Sequence, residues 1–135
     1  YNIGTHNEKP LLLAVSGDSQ RLYAVTSALK VRSFVIKEGA LPNPEVGAFP
    51  EEGDGVNLDG SDTPVAIYAS PAGKWIYVLL KDSSNDGWVR VVNGERFVTA
   101  PNKAVSEPIA VVSQPQDILL DPVGRRLYVT GLGGD

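Results

Sequence analysis

The residue types best suited to chemistry in this chain lie at residues 82–87, which read DSSNDG. Oxygen-bearing side chains at the first, third and fifth positions, Asp82, Ser84 and Asp86, match the opening of a calcium-binding loop. An EF-hand would also need flanking helices and a bidentate glutamate at the twelfth position, where this chain has Asn93. Asn-Asp-Gly between two apolar runs is also typical of a hairpin turn. We therefore predict a turn, with a calcium site at these three residues as the alternative.

Acidic residues gather in a second segment, between positions 51 and 62. No basic residue occurs between Lys37 and Lys74, and we predict that this acidic segment is a loop. Its carboxylates would make one face of the protein acidic, able to attract a metal ion or a basic partner. The alternative is a solvated loop, and the opposite face would be mildly basic. The acidic residues are Glu51, Glu52, Asp54, Asp59 and Asp62, and the basic ones are Lys74, Arg125 and Arg126.

The sequence lacks the residues that several kinds of enzyme mechanism require. The chain has no cysteine, which excludes disulfides, thiolate metal sites and a cysteine nucleophile. His6 is the one histidine, and no Gly-x-Ser-x-Gly turn accompanies it, so we interpret it as a surface residue rather than a catalytic base. No glycine-rich phosphate loop follows a strand and opens a helix. We therefore assign no catalytic residue, and no cofactor apart from the calcium alternative.

Size and composition favour a folded protein without a nucleic-acid surface. The chain has 135 residues, of which 42% are hydrophobic, and a formal net charge of −4. Basic residues are scattered, whereas a nucleic-acid surface needs clustered lysine and arginine. No apolar run, the one at residues 11–15 included, is long enough to span a bilayer. Methionine is absent even at position 1, so we expect a processed product or a piece of a longer protein.

Three copies of one pattern organise the chain. Each has a proline, an apolar run, a tight turn and a second apolar run that contains a tyrosine. The prolines Pro10, Pro64 and Pro115 lie 54 and 51 residues apart, and a period near 50 is typical of propeller or solenoid arrays. The turns at 70–73 and 121–124 have Ser or Asp first, Pro second and Gly fourth, which predicts type I turns. The turn at 16–19 lacks the proline and moves the glycine, so we expect a variant.

The copies predict four-stranded antiparallel blades. Two of them continue into a third strand, at 30–37 and 88–93, and a weaker fourth one, at about 44–49 and 97–104. Four strands per 50 residues are typical of a β-propeller blade, and apolar residues on both faces suit stacked sheets. A β-sandwich is the alternative, and we interpret Trp75 and Trp88 as blade packing rather than ligand stacking. The predicted all-β partial propeller comprises blade 1 (about 9–50), the connection 51–62, blade 2 (about 63–104) and a half blade (about 114–131).

The third copy carries a family resemblance. Residues 121–130 read DPVGRRLYVT, which resembles the YVTN-type repeat of lactonase-like β-propellers, and KEGAL at 37–41 is similar to that family's end-of-blade phrase. The resemblance implies a ring of six or seven blades. The family includes lactone hydrolases, a lactone-forming cyclase and extracellular propellers with binding or structural roles. Because the repeat contains no catalytic residue, the resemblance assigns no catalytic residue to this chain.

The resemblance also implies an incomplete ring. Two and a half blades would leave unpaired edges, so we expect completion by another polypeptide, either a proteolytic partner from the same precursor or further copies of this chain. The expected function is that of a rigid interaction or structural module, in a periplasmic or secreted protein. The alternative is a fragment of a propeller enzyme of lactonase or cyclase type. Its site would lie in a central channel lined by Thr63, Gln116 and Asp117, although Asp117 could instead be a hydrogen-bonded structural carboxylate.

Overall fold

The fold is all-β and consists of three antiparallel sheets. A computed structural model describes residues 7–36, 51–121 and 126–133. In chain order, the strands of these residues are β1 (Pro10–Val15), β2 (Arg21–Thr26), β3 (Lys30–Val35), β4 (Glu51–Asn57), β5 (Thr63–Ala69), β6 (Trp75–Lys81), β7 (Gly87–Asn93), β8 (Ile109–Val111), β9 (Ser113–Leu120) and β10 (Leu127–Gly133). Two single-turn 3₁₀ helices, Gly94–Arg96 and Pro101–Lys103, lie between β7 and β8.

Each sheet follows the order of the chain. The first sheet is β1-β2-β3-β4, the second is β5-β6-β7-β8, and the third is the hairpin β9-β10. In the first two sheets short turns join the first strand to the second and the second to the third, and such turns permit only antiparallel pairing. The repeat therefore places the same strand at the same position in each sheet: β1, β5 and β9 come first, and β2, β6 and β10 come second.

The turn between the first two strands is the same structure in the first two sheets. Ser16 N–H donates to the Arg21 carbonyl at 2.9 Å, and Ser70 N–H donates to the Trp75 carbonyl at 2.8 Å. We expected a variant turn at 16–19, but this turn differs from the turn at 70–73 in its residues and not in its conformation. Ser19, with φ +58°, adopts the left-handed conformation that Gly73 adopts at φ +67°.

Two faces of each sheet have distinct roles, and we name them the front face and the back face. Alternate residues of a strand point to opposite faces, and the strand register fixes which residues share one. The front faces contain Leu13, Val15, Leu22 and Ala24 in the first sheet, Ile67, Ala69, Ile76 and Val78 in the second, and Ile118, Leu120, Leu127 and Val129 in the third. The back faces contain Leu12, Ala14, Tyr23 and Val25, then Ala66, Tyr68, Tyr77 and Leu79, then Asp117, Leu119, Tyr128 and Thr130.

Packing between the sheets always joins a back face to the next front face. The back face of the first sheet, including Tyr23 and Val25, forms one apolar cluster with Ile76 and Val78 of the second sheet's front face. The back face of the second sheet packs on the front face of the third in another cluster, around Ile118. Burial of each such aliphatic side chain stabilises the fold by about 1.5–3 kcal/mol. The core therefore consists of two successive inter-sheet layers.

Both predictions of a fourth strand need correction. Residues 44–49 lie outside the described residues, and the fourth strand of the first sheet is β4, within the acidic segment that we predicted to be a loop. An acidic strand is stable here because arginines face its two glutamates. In the second sheet, residues 97–104 contain the 3₁₀ helix Pro101–Lys103, and the fourth strand is β8. Phe97, only 2% exposed, belongs to the core between the first two sheets.

Candidate functional site

The predicted calcium loop is a hairpin turn between β6 and β7. Asp82 Oδ1 accepts hydrogen bonds from the backbone N–H groups of Ser84 at 2.8 Å and Asp86 at 3.0 Å. Its Oδ2 accepts from Trp88 Nε1 at 3.1 Å. The hydrogen bond from Trp88, and then that from the Asp86 N–H, lowers the pKa of Asp82. Both oxygens of Asp82 thus serve to fix the turn and to orient Trp88.

This turn is also tied to the connection that leads into the third sheet. Ser113 Oγ donates to Asp86 Oδ1 at 2.8 Å, and Gln114 N–H donates to the Asn85 carbonyl at 2.6 Å. Among the described residues no group of three or more His, Cys, Asp or Glu side chains is arranged to hold a metal ion. Calcium at Asp82, Ser84 and Asp86 remains a prediction, and the hydrogen bonds give these residues a structural role of their own.

The acidic segment is partly neutralised by arginines that the sequence places far away. Glu52 lies opposite Ser33 in the register of β3 and β4 and accepts from Arg21, with Nε to Oε2 at 3.0 Å and Nη2 to Oε1 at 3.2 Å. Its hydrogen bonds with Glu52 raise the pKa of Arg21. Glu52 and Glu51 are therefore paired with arginines and add little negative charge to the predicted acidic face. Asp59 and Asp62 lie in the connection after β4.

Arg32 is the most deeply buried charge among the described residues. Its side chain is 2% exposed and forms a two-pronged pair with Glu8, with Nε to Oε2 at 2.8 Å and Nη2 to Oε1 at 2.9 Å. Nη1 donates to Glu51 at 2.6 Å and to the Asp54 carbonyl at 3.2 Å. The hydrogen bonds with Glu8 in particular raise the pKa of Arg32. Sequence reasoning missed this cluster, although an arginine between apolar residues of one strand was a signal for it.

The three predicted channel residues lie on the first strands of the second and third sheets. Thr63 begins β5 and lies opposite Lys81 in the register. Asp117 lies on the back face of the third sheet, and its Oδ1 accepts from the N–H of the next residue, Ile118, at 2.8 Å. Gln116 Nε2 lies 3.5 Å from the Gln114 carbonyl. All three side chains are exposed, and each hydrogen bond described here for Gln116 and Asp117 is local.

The remaining candidates have structural surroundings or lie outside the described residues. Lys74 Nζ lies 5.9 Å from the ring centroid of Trp75 and 4.0 Å from Glu95 Oε1, both near the surface. The indole of Trp88 is held by Asp82, as described above. His6 and Arg125 lie outside the described residues, whereas Arg126 carries the carbonyl that accepts from the Asp121 N–H at 3.0 Å.

Two of the clefts beside the described strands differ in polarity. One of about 300 Å³ lies between β1 and β5, beside the turns, and is lined by apolar residues such as Leu13, Val15 and Pro71. The other, of about 340 Å³, is polar and includes Asp59, Arg90 and Glu107. Arg90 Nη1 donates to the Ser106 carbonyl at 2.8 Å, so this guanidinium holds the chain that leads to β8.

Large apolar side chains are exposed on the two outward faces of the stack of sheets. On the front face of the first sheet, Leu13 is 60% exposed and Val15 is 51% exposed. On the back face of the third sheet, Leu119 is 59% exposed and Tyr128 is 50% exposed. Isolated exposed apolar residues are ordinary, but grouped ones mark interaction sites. We call these two surfaces the open front face and the open back face.

Several residues at the same positions of the repeat are buried where a neighbouring sheet packs on them. Leu13 corresponds to Ile118, which is 4% exposed, and Val15 corresponds to Leu120, which is 5% exposed. Tyr128 corresponds to Tyr23, which is 1% exposed. These side chains therefore match the core residues of the internal interfaces in type and position, and differ from them in having no neighbouring sheet among the described residues.

Comparison with known proteins leaves the chain without an assigned family. No protein-family model matches the sequence, and no curated protein does so either. In the described part of the chain, no helix combines the length and the apolar character that crossing a membrane requires. The function must therefore be argued from the sheets and their open faces.

Proposed function

We propose that this chain is part of a β-propeller and acts as a rigid interaction or structural module that another polypeptide completes. The observation that carries the proposal is the exposure of core-type residues on the open front and open back faces. Leu13 and Tyr128 are half exposed or more, while Ile118 and Tyr23, at the same repeat positions, are buried. Further sheets of the same kind would bury both faces.

Three other features support the propeller architecture. The repeat has a period near 50 residues. The first two sheets are antiparallel meanders of four strands, as propeller blades are. The first strands of successive sheets, β1, β5 and β9, lie next to each other in that order, which is the arrangement expected of strands that surround a common axis.

A module of this kind needs no catalytic residue, and its properties follow from shape and rigidity. The ion pairs of Arg32 and Arg21 tie β4 to the rest of the first sheet. The enzyme alternative requires polar groups that converge in a pocket, whereas the interaction module requires only the exposed apolar faces that carry this proposal. We therefore propose the interaction module as the function.

Native mass spectrometry of the chain as purified, combined with urea denaturation, tests this proposal. We expect the 14.4 kDa chain in a stoichiometric complex with a second polypeptide, and we expect Leu119→Asp to dissociate that complex. Val98→Asp is the matched control, because Val98 is 55% exposed but lies in neither open face. A lone 14.4 kDa species that unfolds in one cooperative transition, with or without Leu119→Asp, would overturn the proposal.

A further inference from the structure

We infer that the open back face selects its partner through Tyr128, and that the partner presents a strand–turn–strand unit with glycine at the fourth position of the turn. The inference rests on the proposed function, because it names what the completing polypeptide must offer. It also excludes one candidate partner, a second copy of this chain, on stereochemical grounds.

The internal interface between the first two sheets provides the geometry. Tyr23 Oη, on the back face of the first sheet, donates to the Gly73 carbonyl of the second sheet's turn at 3.2 Å. This hydrogen bond is buried, and burial raises the pKa of the Tyr23 hydroxyl. A tyrosine at this position therefore forms a hydrogen bond with the turn of the sheet that packs on it.

Glycine is required at the turn position that the tyrosine contacts. Gly73 has φ +67°, and a Cβ atom added there would lie 2.9 Å from Tyr23 Oη. That separation is shorter than van der Waals contact, and the φ value is in the left-handed region that glycine favours. The backbone conformation and the close approach both favour glycine, although Ser19 shows that a serine can adopt the same conformation.

The tyrosine and the glycine recur together along the sequence. Tyr77 holds the position of Tyr23 on the back face of the second sheet, and Gly124, which lies outside the described residues, corresponds to Gly73 in the sequence of the repeat. The first turn differs, since Ser19 takes the glycine position and keeps the left-handed conformation, at φ +58°. No preceding sheet packs on that turn within the described residues. Glycine is thus kept in the two turns that follow a tyrosine-bearing sheet.

Tyr128 is the third tyrosine of this series, half exposed on the open back face. By the geometry of Tyr23, its hydroxyl would donate to the turn carbonyl of an incoming sheet, beside Leu119. A second copy of this chain would offer Ser19 there, and the Ser19 Cβ would lie as close to the Tyr128 hydroxyl as the 2.9 Å of a Cβ at Gly73 to Tyr23 Oη, so that one of the two side chains would have to shift. The fitting partner is therefore a different polypeptide whose turn reads Ser/Asp-Pro-x-Gly.

Variants of the chain itself provide a defined probe of this selection. The receiver carries Leu13→Asp, which blocks its open front face, so that only its back face can bind. The probe carries Leu119→Asp, which blocks its back face, together with Ser19→Gly, which supplies the required glycine. The matched control probe carries Leu119→Asp alone. Sedimentation or titration calorimetry then measures the affinity of the receiver for each probe, after circular dichroism has established that every variant is folded.

We expect the Ser19→Gly probe to bind the receiver at least about tenfold more tightly than the control probe, because removal of the Cβ permits the hydrogen bond. Adding Tyr128→Phe to the receiver should weaken binding of the Ser19→Gly probe by about 2- to 10-fold, the usual range for one neutral hydrogen bond. The same change should strengthen binding of the control probe, because removal of the hydroxyl relieves its close contact with the Ser19 Cβ. Equal affinities of the two probes, a gain that persists in Tyr128→Phe, or no binding by either probe would each overturn the inference.

The binding experiment and native mass spectrometry together distinguish failure of the inference from failure of the proposed function. If the Ser19→Gly probe gains nothing while the native material contains a second polypeptide that Leu119→Asp releases, the inference fails and the proposed function stands. If the native chain is instead a lone, cooperatively unfolding species and the probe does not bind, both fail.

Discussion

Tyr23 and Tyr128 hold the same position of the repeat but have opposite surroundings. Tyr23 is 1% exposed, donates to the Gly73 carbonyl and packs at 6.4 Å, centroid to centroid, against Phe97. Tyr128 is 50% exposed on the back face of the third sheet. The comparison teaches that the repeat sets the residue type, whereas burial depends on whether another sheet follows. Closed and open faces of one molecule can therefore be compared position by position.

The largest expected effect concerns Arg32, which lies on the front face of the first sheet. Arg32 is buried there, whereas Leu13 and Val15 of the same face are exposed. Arg32→Ala should lower the free energy of unfolding by about 3–5 kcal/mol, since it leaves Glu8 and Glu51 without their buried guanidinium. Arg21→Ala is the matched change at an arginine whose side chain is 40% exposed, and should cost about 1 kcal/mol or less. Urea denaturation measures both. Equal losses would mean that burial of Arg32 does not distinguish the two pairs.

The tyrosine pair provides the direct test of the comparison. Tyr23→Ala should destabilise the isolated chain by about 3 kcal/mol, because it opens a cavity in the closed interface and removes a hydrogen bond. Tyr128→Ala should cost less than about 1 kcal/mol in the same chain, because its side chain is already half exposed. Thermal and urea unfolding of the two variants should therefore separate clearly. A similar cost at both positions would mean that the open back face is covered within the chain.

The turns at 16–19 and 70–73 provide a second pair of corresponding positions, Ser19 and Gly73. Gly73→Ala should destabilise the chain by about 1–2 kcal/mol, because a methyl group at φ +67° is strained and lies against the Tyr23 hydroxyl. Ser19→Gly, at the corresponding position of the first turn, should change stability by less than about 1 kcal/mol. Chemical denaturation of both variants in parallel would check this difference. A Gly73→Ala variant as stable as the native chain would contradict the close contact.

The smallest effect concerns alkaline pH. Burial raises the folded-state pKa of Tyr23 above its ordinary value of 10.0, so the folded state favours the protonated hydroxyl. The resulting stabilisation is complete below about pH 10 and is lost as the pH rises toward the folded-state pKa. Unfolding midpoints measured at about pH 8 and about pH 11 should fall more in the native chain than in Tyr23→Phe.

The sequence predicted the first two strands of each copy, since proline, an apolar run and a turn are local signals. It also predicted the hairpin at 82–87, where Asn-Asp-Gly between two strands was sufficient. The fourth strands were placed wrongly, because β4 begins with Glu51 and Glu52 and contains two glycines. Nothing local marks such a segment as a strand.

The surroundings of the candidate residues were harder to predict than the strands. The pairing of Arg21 with Glu52 and of Arg32 with Glu8 and Glu51 spans 19 to 31 residues of chain, and only the folded register brings these charges together. Which face of each sheet is open also depends on neighbours rather than on residue type. Tyr23 and Tyr128 look alike in sequence for that reason.

The back-to-front order of packing has a consequence for motion. Among the described residues, the second sheet packs between two other sheets, whereas the first and third sheets each pack against one. In an array whose units contact only their neighbours, opening spreads inward from the ends. Amide hydrogens of β6 and β7 should therefore exchange with solvent most slowly. The hairpin β9-β10 should open early and often, so that the strands that bear Tyr128 and Leu119 can adjust to whatever docks on them.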